Sequence, residues 1–215
     1  RYLHEPLRQS AGYVTMFRRM GELTPRQHDT LSRLQSSTAS MQRMIDNLMY
    51  LNSIERGEGV HLQRCAVAGV IEAALANTRS EFDRRGHSLQ RRLPTSLPPV
   101  LGDQNLLIKA VECLADNAAK YTGRNGTIGV QALIEDGGVV VTVTDTGIGL
   151  SPAEQMRVFD RFYRVDRPEV NAVVGHGLGL PIVKAVAEWH GGRVWVESSL
   201  GRGSRFCLWL PSPPA

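Results

Sequence analysis

The chain has 215 residues, enough for one large domain or two small ones, and 42% of them are hydrophobic, enough for a buried core. Its formal net charge of +4 comes from scattered arginines, which excludes the clustered basic footprint of a nucleic-acid binder. Three widely spaced cysteines, Cys65, Cys113 and Cys207, lack any CxxC pattern and read as reduced thiols of a cytoplasmic chain, and no apolar run approaches the ~20 residues a membrane span needs.

Residues 1–56 show no strand-like alternation and open inside a helical pattern, as a fragment of a longer protein would. Leu7, Val14, Met16 and Phe17 share one apolar face, and "GELTP" at 21–25 interrupts the pattern. Thr24 is placed to cap a second helix with Pro25 at its first position. From there Leu31, Leu34, Met41, Met44, Ile45, Leu48 and Leu51 recur at steps of three, four and seven. Two helices joined by a short loop predict an antiparallel hairpin that pairs with a second copy as a four-helix bundle; a helical linker is the alternative.

"ERGEGV" at 55–60 marks a domain boundary, and beyond it the pattern becomes mixed α and β. "VHLQRCAV" at 60–67 alternates as a strand does, residues 68–84 read as a helix, and "HSLQRRL" at 87–93 reads as a second strand before the turn "PTSLPPV". Residues 103–122 predict a long helix capped by Asp103. "TIGVQALIE" and "GVVVTVTD" form a hairpin around "DGG", and "GRVWVESS" and "SRFCLWLP" form another around "LGRG". The predicted fold class is α+β: a helical hairpin, 1–56, followed by an α/β sandwich, 60–215, with a mixed sheet and helices on one face.

Three glycine clusters carry the chemistry. "DTGIGL" at 145–150 puts Asp145 at a strand end, where a carboxylate can accept from an exocyclic adenine amine, and Gly147 and Gly149 allow close backbone approach. "GHGLGLPIVKAV" at 175–186 frees backbone amides at Gly175, Gly177, Gly179 and Leu180 just before a helix, a ready anion site. "LGRGS" at 200–204 serves equally as a plain hairpin turn. "LADNAAKYT" at 114–122 places Asn117, Lys120 and Tyr121 along one helical face, an amide for Mg²⁺ and a cation for phosphate. Alone, each of these is a common surface feature.

In combination, "DNAAKYT", "DTGIGL", "VFDRFYR", "GHGLGL" and "GRGSRF" resemble, in order and spacing, the N, G1, F, G2 and G3 boxes of sensor histidine kinases, within the wider ATPase group that includes gyrase, Hsp90 and MutL. The resemblance extends to the N-terminal hairpin as the dimerisation and phosphotransfer part. It implies ATP and Mg²⁺ as cofactors, with Asn117 as the Mg²⁺ ligand, Lys120 and Tyr121 on the phosphate and ribose side, and Asp145 on adenine. Phe159 and Phe162 become aromatic anchors, Arg164 a γ-phosphate contact, and 165–176 a mobile lid. The implied reaction is autophosphorylation on histidine and transfer to an aspartate of a response regulator by a homodimer, the upstream sensor region being absent from this stretch. One position departs from the family: Cys113 stands where a second asparagine or another polar group is usual, and a thiol is a poor ligand for a hard metal.

The acceptor histidine is the second departure. The family's box has proline five residues after the histidine, and counting back from Pro6 lands on Arg1, with Tyr2 in the place of the acidic base. Arginine stays protonated and cannot be the nucleophile. His4 with Glu5 is the candidate pair, displaced by three residues, ~4.5 Å along a helix and about 60° around it. Two readings follow: His4 accepts the phosphoryl group with Glu5 taking its proton, or the acceptor is lost and the chain is an ATP-binding dimeric scaffold, a degenerate kinase.

Overall fold

The computed structural model describes residues 4–18, 23–171, 173 and 175–213, with side chains from residue 9 onward, Ala11 excepted. The chain divides into two compact units, Arg1–Asn52 and Ser53–Ala215. The division falls inside a helix, ahead of the glycine-rich stretch at 55–60.

The first unit holds helix α1 (His4–Phe17) and most of α2 (Pro25–Arg56). The start of α2 follows from a capping box. Gln27 Nα donates to Thr24 Oγ1 at 3.3 Å, while Thr24 Nα donates to Gln27 Oε1 at 2.8 Å, so two orphan donors are satisfied reciprocally. Arg18 Nη1 reaches Gln35 Oε1 across the loop. Tyr13, Met16, Phe17, Leu34, Met41 and Met49 stand exposed, an unusual load of large apolar groups for a pair of helices.

In the second unit, strand β1 (Gln63–Cys65) leads into α3 (Val67–Arg85), β2 (Ser88–Arg92), β3 (Val100–Gly102) and α4 (Gln104–Tyr121). Strands β4 (Thr127–Glu135) and β5 (Gly138–Asp145) follow. Two four-residue helices, α5 (Pro152–Gln155) and α6 (Pro168–Asn171), precede α7 (Gly179–Trp189), β6 (Arg193–Ser199) and β7 (Gly203–Pro211). Five strands form one sheet in the order β2-β4-β5-β7-β6, with β2 parallel to β4 and the other neighbours antiparallel. This is the mixed-sheet α+β sandwich expected. Two details differ. The long first strand shrinks to three residues, and the proline-rich turn ends at Val100 in a further strand, β3, which pairs antiparallel with β1. A three-residue strand beside prolines gives no alternation to read.

Alternation decides which face is buried. Ile128, Val130 and Ala132 of β4, Val139, Val141 and Val143 of β5, and Phe206, Leu208 and Leu210 of β7 lie in register on one face, buried. Helices α4 and α7 pack on that face with α3 alongside α4, and the fully buried Ala110, Ala115, Ala118 and Ala119 let α4 lie close to its neighbours. The opposite face is roofed by its own side chains. Arg193 lies 4.8 Å from the ring centre of Trp209 and 5.6 Å from that of Trp195, above Val140 and Thr142, both buried.

Helices α4 and α7 are joined at the end far from the glycine clusters. Buried His190, just after α7, accepts from Asp103 Nα at 3.0 Å through Nε2 and donates from Nδ1 to Val186 O at 2.7 Å. Asp103 caps α4 as predicted, accepting from Asn105 and Leu106 amides, and also receives His61 Nα.

Candidate functional site

At the C-terminal end of α4, Asn117, Lys120 and Tyr121 occupy the last turns, half-buried. Lys120 Nζ sits 2.5 Å from Asp116 Oδ2, one turn back. Arg85, at the end of α3, donates to the Lys120 carbonyl at 3.0 Å and is itself held by Glu81 at 2.7 Å. A cation on the last carbonyls of a helix opposes its dipole favourably, and the two arginines beside Glu81 hold its carboxyl below the usual range.

Asp145 closes β5 on the helix-covered face and is buried. Burial pushes its carboxyl up, opposed by the Gly147 amide, which donates to Oδ1 at 2.8 Å, and by that of Ser204. The turn that follows presses on α4. A Cβ on Gly147 would run into the Tyr121 carbonyl oxygen, which also accepts from Ile148 Nα at 3.3 Å. The third glycine cluster proves to be more than a hairpin turn, because it braces this one. Gly201 Nα donates to Ile148 O, Leu150 Nα to Ser198 Oγ, and Gln155 Nε2 to both Leu150 O and Ser198 O.

The second glycine cluster meets the same α4 end. Gly179 opens α7 opposite Cys113, whose Cβ is 4.0 Å from where a Gly179 Cβ would sit, and Gly175 approaches the Tyr121 hydroxyl. Leu178, ahead of that helix, supplies no side-chain cap, so the first-turn amides of α7, Leu180 among them, take no bond from it. Gly177, at φ +66°, is wedged so that a Cβ would stand 2.7 Å from Tyr163 O, and Phe162 Nα donates to Gly177 O at 2.9 Å. Phe159 meets Phe206 edge to face. Arg164 is spent on backbone: Nη1 donates to Gly175 O, and Nη2 to Val170 O and Val173 O, at 2.6–2.7 Å.

Cys113 lies one turn before Asn117, and its thiol is pushed up to about 11 by burial. It is therefore a neutral group at ordinary pH, without the thiolate a metal would need. No cluster of three or more His, Cys, Asp or Glu side chains that could hold a metal ion occurs among the described residues. The side chains of His4 and Glu5 lie outside the described set; their backbone is part of α1. Arg1 and Tyr2 lie outside the described residues.

The structure thus brings Asn117, Lys120, Tyr121, Asp145, Gly147, Gly149, Gly175, Gly177, Gly179 and Leu180 around one end of the sandwich, with Arg164 under the segment leading to α7. Sequence reading missed Arg85, Gln155 and Ser198, none of which lies in a recognisable pattern. It also missed Glu154, which did carry a signal: Ser151-Pro-Ala-Glu154 is a capping box.

Residues 102–214 match the family described as histidine kinase-, DNA gyrase B- and HSP90-like ATPase, and the chain belongs to it. The sensor-like histidine kinase SenX3 of Mycolicibacterium smegmatis is 34% identical over 191 residues, covering 86% of this chain and 50% of SenX3. The phosphate regulon sensor protein PhoR of Pseudomonas aeruginosa is 31% identical, covering 99% of this chain and 48% of PhoR. Among solved structures, full-length ShkA in complex with AMPPNP superposes with a TM-score of 0.80 at 25% identity, over 100% of this chain and 44% of ShkA. The mycobacterial sensor histidine kinase MprB gives 0.60 at 31% identity, over 72% of this chain and 100% of that one. The chain carries a histidine-kinase ATPase core and spans about half the length of the curated relatives it matches. No described helix is long and apolar enough to cross a membrane.

Proposed function

We propose that this chain is the core of a sensor histidine kinase: residues 60–215 bind ATP with Mg²⁺, and residues 1–56 dimerise and carry the phosphoacceptor. The single observation that carries the reading is the convergence of buried Asp145, the Asn117–Tyr121 end of α4 and the glycine-rich entry to α7. Asp145 is placed at a strand end to accept from the adenine amine, the turn glycines leave room for the base, and the α7 amides face phosphate charge. Asn117 supplies an amide oxygen to Mg²⁺, which neutralises phosphate charge when bound. For Arg164 to reach a γ-phosphate it has to exchange the three carbonyls it now holds.

In the transfer step, an imidazole nitrogen of His4 bonds to the γ-phosphorus as the bond to the β-phosphate oxygen breaks, ADP departs, and Glu5 takes the imidazole proton. The phosphoryl group then passes to an aspartate of a response regulator. The exposed apolar residues of the first unit support dimerisation through it.

The second reading, an ATP-binding scaffold without a working acceptor, is favoured by Arg1 in the expected histidine register. One experiment separates the two. Incubation with γ-labelled ATP and Mg²⁺ should leave acid-labile, base-stable label on the chain, lost in His4→Ala. Nucleotide binding without any label would establish the scaffold instead.

A further inference from the structure

Among the described residues, the path from β5 to α7, 146–178, contains only the four-residue helices α5 and α6, so scattered backbone bonds and side chains hold it rather than a continuous ladder. One side chain ties three parts of it together. Arg167 Nη2 donates to the Gly149 carbonyl at 2.8 Å, in the turn after Asp145. The same guanidinium lies along the Glu154 carboxylate, with Nε 3.3 Å from Oε1 and Nη2 3.4 Å from Oε2. Both side chains are mostly covered, 23% and 16% exposed, so solvent screens this pair less than an open surface pair. Glu154 is fixed in turn, since Oε2 accepts from Ser151 Nα at 2.7 Å. Gln155, next to it, locks the same turn to Ser198.

We infer that Arg167 is a positioning residue for the nucleotide site: through Glu154 and the Gly149 carbonyl it fixes the approach to α6 to the turn that carries Asp145. The inference rests on the nucleotide-site reading and deepens it.

Geometry separates this role from simple stabilisation. Arg167 and Glu154 touch neither the helix-covered sheet face nor α4 in any bond given above; their bonds run only among the turn, α5 and the approach to α6. Loosening them therefore frees nucleotide-contacting backbone before it weakens the core.

The test measures release of a fluorescent N-methylanthraniloyl ATP, with Mg²⁺, from wild type, Arg167→Gln, Glu154→Gln and the double variant. Glu154→Gln can keep the oxygen that caps Ser151 while it removes the charge and replaces the oxygen facing Arg167 Nε with an amide donor. Each single variant should release the probe about fivefold faster, and the double variant no faster than the singles, as expected of two groups acting as one unit. Arg167→Lys should recover part of the loss, because an ammonium keeps the charge but not the fork. Release at the wild-type rate in both singles, effects that multiply in the double, or a lowered nucleotide-free Tm with unchanged release would each overturn the inference. Wild type that binds no probe would sink the nucleotide-site reading itself, and with it this one.

Discussion

Asp145 illustrates the tension at the residue scale. Its carboxyl is raised by burial, so the folded state favours the protonated form more than the unfolded chain does. A raised carboxyl contributes stability below the unfolded pKa and loses it as pH rises through the folded value, so at neutral pH the carboxylate costs stability. Asp145→Asn should therefore hold or raise Tm while weakening ATP binding by at least about tenfold, the loss of a charged acceptor. Thermal melting and ligand titration on the same preparations check both halves. Weakened binding with a lowered Tm would instead mark Asp145 as structural. Cys113 is the other informative residue. With its thiol pushed up to about 11, alkylation at pH 7.5 should be far slower than for a free thiol of pKa about 8.5. Fast labelling of Cys113, read by peptide mass, would refute the buried-thiol account.

The element scale concerns how helices and turns hold one another. Gly147 shows that the turn after β5 was shaped by contact, since a Cβ there meets the backbone of α4 rather than a yielding side chain. Gly147→Ala should cost about 1–3 kcal/mol by overpacking, visible in chemical denaturation, and should also impair nucleotide binding. At the opposite ends of the same helices, His190 links α4 to α7 only while neutral, because Nε2 must accept from Asp103 Nα. Burial lowers its pKa, an effect partly offset by the Val186 carbonyl and the Asp103 charge. A base with a depressed folded pKa lends stability above its unfolded value and loses it as pH falls. Domain stability should thus decline as pH drops below about 6.5. His190→Asn should flatten that decline while lowering Tm at neutral pH; an unchanged slope would remove His190 from the account.

At the scale of the whole molecule, the six large exposed apolar residues of the first unit named above face solvent in a single chain. If they are a dimer surface, the full chain should sediment as a dimer and residues 53–215 alone as a monomer. The second unit has its own core, from Phe82 and Ile71 through Leu114 to Leu208, so that shorter chain should fold and still bind ATP. Failure of the monomer to bind would place part of the nucleotide site outside the second unit.

The five short segments that carry the resemblance, their order and the mixed α+β pattern were legible in the amino-acid sequence, because local chemistry writes them. Alternation marked β4, β5, β6 and β7, capping residues marked the start of α2 and of α4, and Asp145 stood at a strand end. What only the tertiary structure decided are the contacts between segments distant in sequence. That Gly147 presses on Tyr121, that Gly201 braces Ile148, that Arg85 holds the Lys120 carbonyl, and that Arg164 is engaged by the carbonyls of Val170, Val173 and Gly175 leave no local signature. The physical reason is range. Propensity and periodicity act over a few residues, whereas a guanidinium or a missing Cβ acquires its role only from whatever the fold sets against it.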